Sequence, residues 1–549
     1  MIIEFQSDVI ALQRIGRVVS AVRHMTTSKY SYLESTLVGR TDAALTLSPL
    51  IAGSLLVTLL GVGGCAVGPD FKAPAAPTEA AYTEQGLPKS TVEAPVLGGA
   101  AQHFGIGKDI PAQWWTLFRS PEIDALVREA IANSPTLESA KATLRQAHEI
   151  LKANEGGLLL PSVSASAQGA RERLAGATLG LPYNPEFTLL NASVNASYNL
   201  DVFGGARRQI EGYAAQLDYT RYQLEATYLT LTSSVVTTAM REAGLRAQVR
   251  ATEEIADAQA KQLDVVRQQF AVGAIPRATV LQQQTQLATT RASLPGLQKQ
   301  LAQTRNQLAV LIGKTPSVAQ LPVINLEALT LPTQLPVSLP SELVRQRPDI
   351  QASEAQLHQA SAQIGVATAA QLPQFTLSAQ YGVEGTQPGH LLSPANTIWS
   401  LAGGVVQPIF NGGQLSAQRR AASAAYDAAY AQYRTVVLQA FQNVADTLVA
   451  LEADARTLAA NAEADDLARQ TLDLAQVQYG LGAVSYLTLL DTQRQFQQAH
   501  ISLVQAQAAR FADTATLFQA LGGGWWNRTQ PPADTANAAA DVGSHAQQK

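Results

Sequence analysis

The chain is poor in charge, in aromatic rings and in sulfur. Charged residues make up 15% of 549, against ~25% in an ordinary soluble protein. Its one cysteine, Cys65, excludes an intrachain disulfide and any Cys-rich metal or iron–sulfur centre. With Lys+Arg 39 against Asp+Glu 43, the net charge of −4 leaves no cationic excess for a nucleic-acid surface. Aromatics are only 6%, so the 46% hydrophobic content is carried by Ala, Leu and Val. Catalytic signatures are missing too. Gly313-Lys314-Thr315 resembles part of a phosphate loop, but Leu308 stands where the upstream glycine belongs. The seven histidines lack metal-ligand spacing, and Asp465-Asp466 reads as a solvated helix face. No enzyme activity, cofactor or metal is expected. What remains suits long, closely packed helices.

Residues 43–64 carry no charged side chain and end in Val62, Gly63 and Gly64 directly before Cys65. A run of 22 residues could span a bilayer as a helix. The small residues before a cysteine point instead to a lipoprotein signal, cleaved to leave an acylated Cys65. Ala66 rather than Asp after that cysteine favours outer-membrane sorting. Residues 1–42 mix Lys29 and Arg40 with Glu34 and Asp42, and read as an extension from a misassigned start.

The rest of the chain repeats itself. Ser134-Pro135 answers Arg347-Pro348, and Leu160-Pro161 answers Leu372-Pro373, at offsets of 213 and 212. Gly205, Gly273 and Gly313 answer Gly413, Gly482 and Gly522, at 208, 209 and 209. The expected division is a signal and extension at 1–64, an extended lipidated segment at 65–119, and a first repeat at 120–314. A Pro-rich linker at 315–334, a second repeat at 335–522 and a polar tail at 523–549 follow.

Each repeat reads helix, strand, strand, long helix, helix. In the first, 121–157 is expected to be helical and broken at Gly156-Gly157. Segment 190–202 then alternates without a break: Leu190, Ala192, Val194, Ala196, Tyr198, Leu200 and Val202 face one way, polar residues the other. Segments 162–169 and 375–384 alternate likewise, and a fourth strand near 397–407 is less regular. No proline interrupts 205–271 or 412–480; 67 residues of helix reach ~100 Å, too long for one globular core. Segment 276–313, a shorter helix, and 121–157 have lengths that let them lie end to end along the long one.

Four strands cannot close a barrel, since single-chain examples start at ~8, and lipid does not tolerate open edges. The chain therefore has to supply its strands and helices to an oligomeric tube, a short β-barrel continued by an α-helical barrel.

The runs RQRPDIQASEAQL at 345–357 and IGVATAAQLP at 364–373 resemble the TolC/OprM-type outer-membrane efflux proteins. So do CAVGPDF at 65–71, Trp114-Trp115, QPIFNGG at 407–413, YLTLLD at 486–491 and ALGGGW at 520–525. The lipoprotein branch serving resistance-nodulation-division (RND) drug pumps is the most similar. The resemblance implies a mainly α fold with a small transmembrane β-barrel: a homotrimer with twelve strands, four per chain, and a twelve-helix periplasmic tunnel. It further implies docking onto a periplasmic membrane-fusion adaptor and an inner-membrane RND-type pump, in contact with outer-membrane lipid. Its function would be that of a passive exit duct.

Leu487, Asp491 and Arg494 fall on one helix face, whereas their counterparts 209 residues earlier, Ala278, Gln282 and Thr285, carry no charge. In the related family the matching positions form the closed periplasmic constriction, so this trio is the expected gate. Val272-Gly273-Ala274 and Leu481-Gly482-Ala483 are the expected adaptor-docking turns. The competing readings are a lipid-anchored coiled-coil adaptor without a barrel, and a duct for metal or protein export.

Overall fold

A computed structural model describes residues 66–528 apart from 80, 85 and 181. Cys65, the signal and the polar tail beyond 528 lie outside the described residues. In chain order the principal elements are β1 (His103–Ile106), α1 (Pro121–Asn133), α2 (Pro135–Leu159), β2 (Ser162–Arg173) and β3 (Glu186–Leu200). Then come α3 (Gly205–Ala271), α4 (Arg277–Leu311), β4 (Gln334–Val337), α5 (Pro340–Gln346), α6 (Pro348–Ala369) and β5 (Gln374–Gly385). The series ends with β6 (Thr397–Val406), α7 (Gln414–Gly480) and α8 (Tyr486–Ala520).

The long helices α3 and α7 have 67 residues each, and α4 and α8 have 35 each. Neither long helix has a continuous apolar face. Burial is carried by Ala, Leu, Thr and Val, and the small residues among them let neighbouring helices approach closely. Both α2 and α4 pack on α3, α6 bridges α3 and α7, and α8 bridges α7 and α3. In α2 the buried contacts are Leu137, Leu144 and Leu151, one every seven residues, as in a coiled-coil seam.

The first helical run differs from expectation at its break. It divides at Ser134, whose Oγ accepts from Leu137 N–H at 3.4 Å while Pro135 takes the first helical position. Serine as N-cap followed by proline starts a new helix and stops the old one. Gly156 and Gly157 stay inside α2 at exposed positions; each weakens the helix by ~1 kcal/mol relative to Ala without ending it. The strand expected at 190–202 also shifts, to Glu186–Leu200. Asp201 leaves the ladder because its carboxylate caps α3, accepting from Ala206 and Arg207 N–H at 2.9 Å each.

The lead and linker form more than extended chain. β1 pairs in parallel with β4, and a short 3-10 turn at Trp114–Phe118 sends its aromatic side chains into the main core. Trp114 stacks on Phe518 at 5.3 Å, with Phe118 edge-on to the same ring at 6.4 Å. Ile324, Leu326, Leu329 and Leu331 of the linker join this core.

Strands β2, β3, β5 and β6 form one antiparallel sheet in the order β2-β3-β5-β6. Their registers place like residues in rows. Ala165, Val194, Tyr381 and Trp399 lie side by side on one face, as do Val163, Ala196, Ala379 and Leu401. The opposite face carries the row Ser164, Asn195, Gln380 and Ser400.

Candidate functional site: an inverted sheet and a pair of helix turns

The two ends of the long helices hold the features that matter for function. At one end is the sheet. Side chains of its polar face bond one another across strands: Asn195 Nδ2 donates to Ser166 Oγ at 3.1 Å, Asn191 Nδ2 to Glu384 Oε2 at 3.2 Å, and Thr376 Oγ1 to Asn199 Oδ1 at 3.0 Å. On the central strand β3, Ser193 of that face is 7% exposed and Val194 of the apolar face 49%; on the edge strand β6 both faces are open, with Trp399 and Leu401 at 75% and 76%. A soluble half-buried sheet is the reverse, apolar in and polar out. The strands have 12, 15, 12 and 10 residues; a bilayer crossing needs ~9–11. Among the described residues no strand pairs with the outer edge of β2 or of β6. No described helix is long and apolar enough to cross a membrane.

At the other end α3 passes into α4, and α7 into α8, through two matching turns. Ala274 N–H donates to Gln269 C=O and Gly273 N–H to Phe270 C=O, both at 2.9 Å. In the second repeat Ala483 bonds Gln478 at 2.8 Å and Gly482 bonds Tyr479 at 3.0 Å. This closing pattern needs a left-handed residue, supplied by Gly273 at φ 71° and Gly482 at φ 73°. The residue before each glycine is turned to solvent, Val272 at 81% and Leu481 at 80% exposure. Behind the turns, Leu263, Val266, Val280 and Leu287 pack with Ala475, Tyr486, Leu489 and Leu490 into one small core drawn from all four helices.

Leu487, Asp491 and Arg494 lie on the outward face of α8, opposite buried Leu489, Leu490 and Thr492. Arg494 Nη2 reaches Asp491 Oδ1 at 3.1 Å, and Gln495 Nε2 donates to Asp491 Oδ2 at 2.8 Å. The uncharged counterparts Ala278, Gln282 and Thr285 are exposed on α4 in the same way. The charge asymmetry between repeats therefore sits on equivalent, outward-facing positions.

Asp465 departs from the solvated face expected for it. It is buried between α7 and α8, bonded to His500 Nδ1 at 2.9 Å and to Arg469 Nη2 at 2.9 Å. Asp466 does stay on the surface, paired with Gln470. Sequence reading also missed Arg510, fully buried, which donates to the Leu451 carbonyl and to Thr91 Oγ1. Its burial cost lowers its pKa to about 10. Its one available signal was a lone Arg directly before the apolar Phe511. Among the described residues no cluster of three His, Cys, Asp or Glu side chains could hold a metal.

Comparison with known proteins gives a consistent result. The family model described as outer membrane efflux protein matches residues 126–314 and again 339–523. The pyoverdine export outer membrane protein OpmQ of Pseudomonas putida is 32% identical over 440 residues, covering 79% of this chain and 92% of that protein. The antibiotic efflux pump outer membrane protein ArpC of Pseudomonas putida is 29% identical over 480 residues, covering 87% and 96%. Among solved structures, the outer-membrane channel OprN superposes with a TM-score of 0.76 at 25% identity, over 84% of this chain and all of that one. The open state of the Neisseria gonorrhoeae MtrE outer membrane channel gives 0.73 at 25% identity, over 85% of this chain and 100% of that one.

Proposed function

The chain belongs to the outer membrane efflux protein family, and from that premise we propose how it works as the outer-membrane duct of a tripartite efflux system. The observation that carries the reading is the inverted sheet: apolar side chains outward, hydrogen-bonded polar side chains inward, both edges open. Unpaired edge groups in hydrocarbon cost several kcal/mol each. Three copies, β6 of one beside β2 of the next, would close a twelve-stranded barrel with a polar lumen. The helices of the three copies would continue that lumen as a tunnel ~100 Å long. A lipid-anchored coiled-coil adaptor has no use for such a sheet.

In this assembly Cys65 carries the acyl anchor in the outer membrane. Leu487, Asp491 and Arg494 from three copies ring the periplasmic mouth. The exposed turns Val272-Gly273-Ala274 and Leu481-Gly482-Ala483 present apolar tips to a periplasmic adaptor, which couples the duct to an inner-membrane RND-type pump. Three relatives carry names for pyoverdine export, antibiotic efflux and cation efflux. A lumen lined by small polar side chains, many of them bonded to one another, would impose little selection among such cargoes, so choice of substrate rests with the pump. The duct performs no chemistry.

Cysteines placed in facing pairs along β2 and β6, in a Cys65→Ala background, test the closure. Oxidation is expected to give a covalent ring of three that runs as one band. A ladder of ever longer species, or no intermolecular product, refutes the barrel.

A further inference from the structure

Residues 66–71 lie where the sheet meets the helices, bound there in a built groove. Val67 N–H donates to the Phe203 carbonyl at 3.0 Å. Arg208, 5% exposed on α3, donates Nε to the Val67 carbonyl at 3.1 Å and Nη2 to the Gly68 carbonyl at 3.4 Å. The same Nη2 meets Asp70 Oδ1 at 2.6 Å, while Nη1 meets Glu211 at 2.8 Å. Glu211 in turn holds His358 Nε2 of α6 at 2.9 Å, and the His358 ring stacks on Phe71 at 4.4 Å.

The backbone fit is equally specific. A Cβ on Gly68, itself at φ 95°, would lie 2.5 Å from the Gly365 Cα. One on Gly204 would lie 2.5 Å from the Ala66 Cα. A Cβ on Gly365 would meet Arg208 Cγ at 2.7 Å and the Val67 carbonyl at 3.0 Å. Backbone contacts under 3 Å force the chains apart, so Gly68 and Gly204 are needed for the segment to lie this close, while Gly365 leaves room for the stem of Arg208. The groove is made by α3 of the first repeat and α6 of the second, so the segment also ties the repeats together.

We propose that residues 66–71 are a latch that pins the lipid-bearing residue to the α3–α6 seam at the base of the sheet. Ala66 is one peptide bond from Cys65. A clamped Ala66 confines the acyl chains to the level at which the sheet ends, instead of leaving them on a loose tether. The anchor and the barrel then enter the bilayer in one fixed relation. This rests on the reading of Cys65 as the acylated residue.

Trypsin offers the test, because Lys72 is exposed directly after the latch. The full-length protein is labelled with palmitate in cells, purified in detergent and digested briefly. Wild type is expected to keep its label. Arg208→Ala and Phe71→Ala are expected to release a labelled 65–72 peptide at least tenfold faster, because cleavage follows the population of the open segment. Phe71→Ala alters only the segment, so its body stays folded; unchanged helicity by circular dichroism checks this for both variants. Equal release rates in wild type and both variants overturn the latch. Absence of label from wild type removes the acylation reading alone, and the latch is then judged by the cleavage rate at Lys72 from peptide masses.

Discussion

Asp454 on α7 faces Asp513 on α8, and the two carboxyls share a partly buried site near Arg510. Burial first, then hydrogen bonding to Asp513, pushes the Asp454 pKa up to about 7. The sign follows from which state holds the proton more tightly. An unfolded aspartate titrates at ~3.9, so the folded protein binds the extra proton. The pair's stabilising contribution is complete below pH ~4 and is lost as pH rises through about 7. Asp454→Asn mimics the protonated form. Thermal unfolding of this variant is expected at higher temperature than wild type at pH 8, with no gain at pH 4. An equal shift at both pH values would show that the carboxyl pair has no part in it.

Among elements, the two faces of the sheet make contrasting demands. Leu401 and Ser400 are neighbours on β6 but point to opposite faces. Leu401→Arg puts a guanidinium against lipid, at a cost of ~2–4 kcal/mol near the bilayer midplane. It is expected to lower the yield of heat-resistant oligomer in outer-membrane fractions, whereas Ser400→Arg leaves yield intact and narrows the lumen. Equal loss from both variants contradicts a lipid-facing apolar face. At the opposite end, Leu481→Asp alters a side chain already in solvent, so folding is unaffected. Cross-linking of the adaptor to cysteines beside the turn is expected to fall at least tenfold, and undiminished cross-linking rules out docking there.

Much of this level was legible in the sequence because periodicity reports burial directly. Alternation at 190–202 and two proline-free stretches revealed the strands and long helices. The repeat offset located both glycine turns. What escaped was set by contacts distant in sequence. Asp465 looks solvated beside Asp466, yet His500 reaches it from 35 residues away. Arg510 is tolerated in the core because the Leu451 carbonyl, 59 residues away, and Thr91, 419 residues away, accept its hydrogen bonds. The Ser134 cap outweighed Gly156-Gly157 because a capped proline start ends a helix, while a glycine pair only weakens one. The expected gate trio lies on one exposed face of α8, but a ring is a property of an assembly and not of one chain's sequence.

At the scale of the whole molecule, the proposed membrane sheet, helical tunnel and charged periplasmic mouth would make one conduit. In the proposed ring, Asp491 of one copy would meet Arg494 of the next; three such contacts, at ~0.5–1 kcal/mol each for exposed ions, would shift a closed mouth by one to two decades in population. Removing both charges leaves α8 intact, because alanine is the best helix former. Single-channel conductance of the purified full-length protein in a planar bilayer is the most direct test, with wild type compared against Asp491→Ala combined with Arg494→Ala. Discrete conductance steps are expected, larger and longer-lived in the double variant. A flat baseline from both proteins, in samples that cross-link as rings of three, would contradict the conduit.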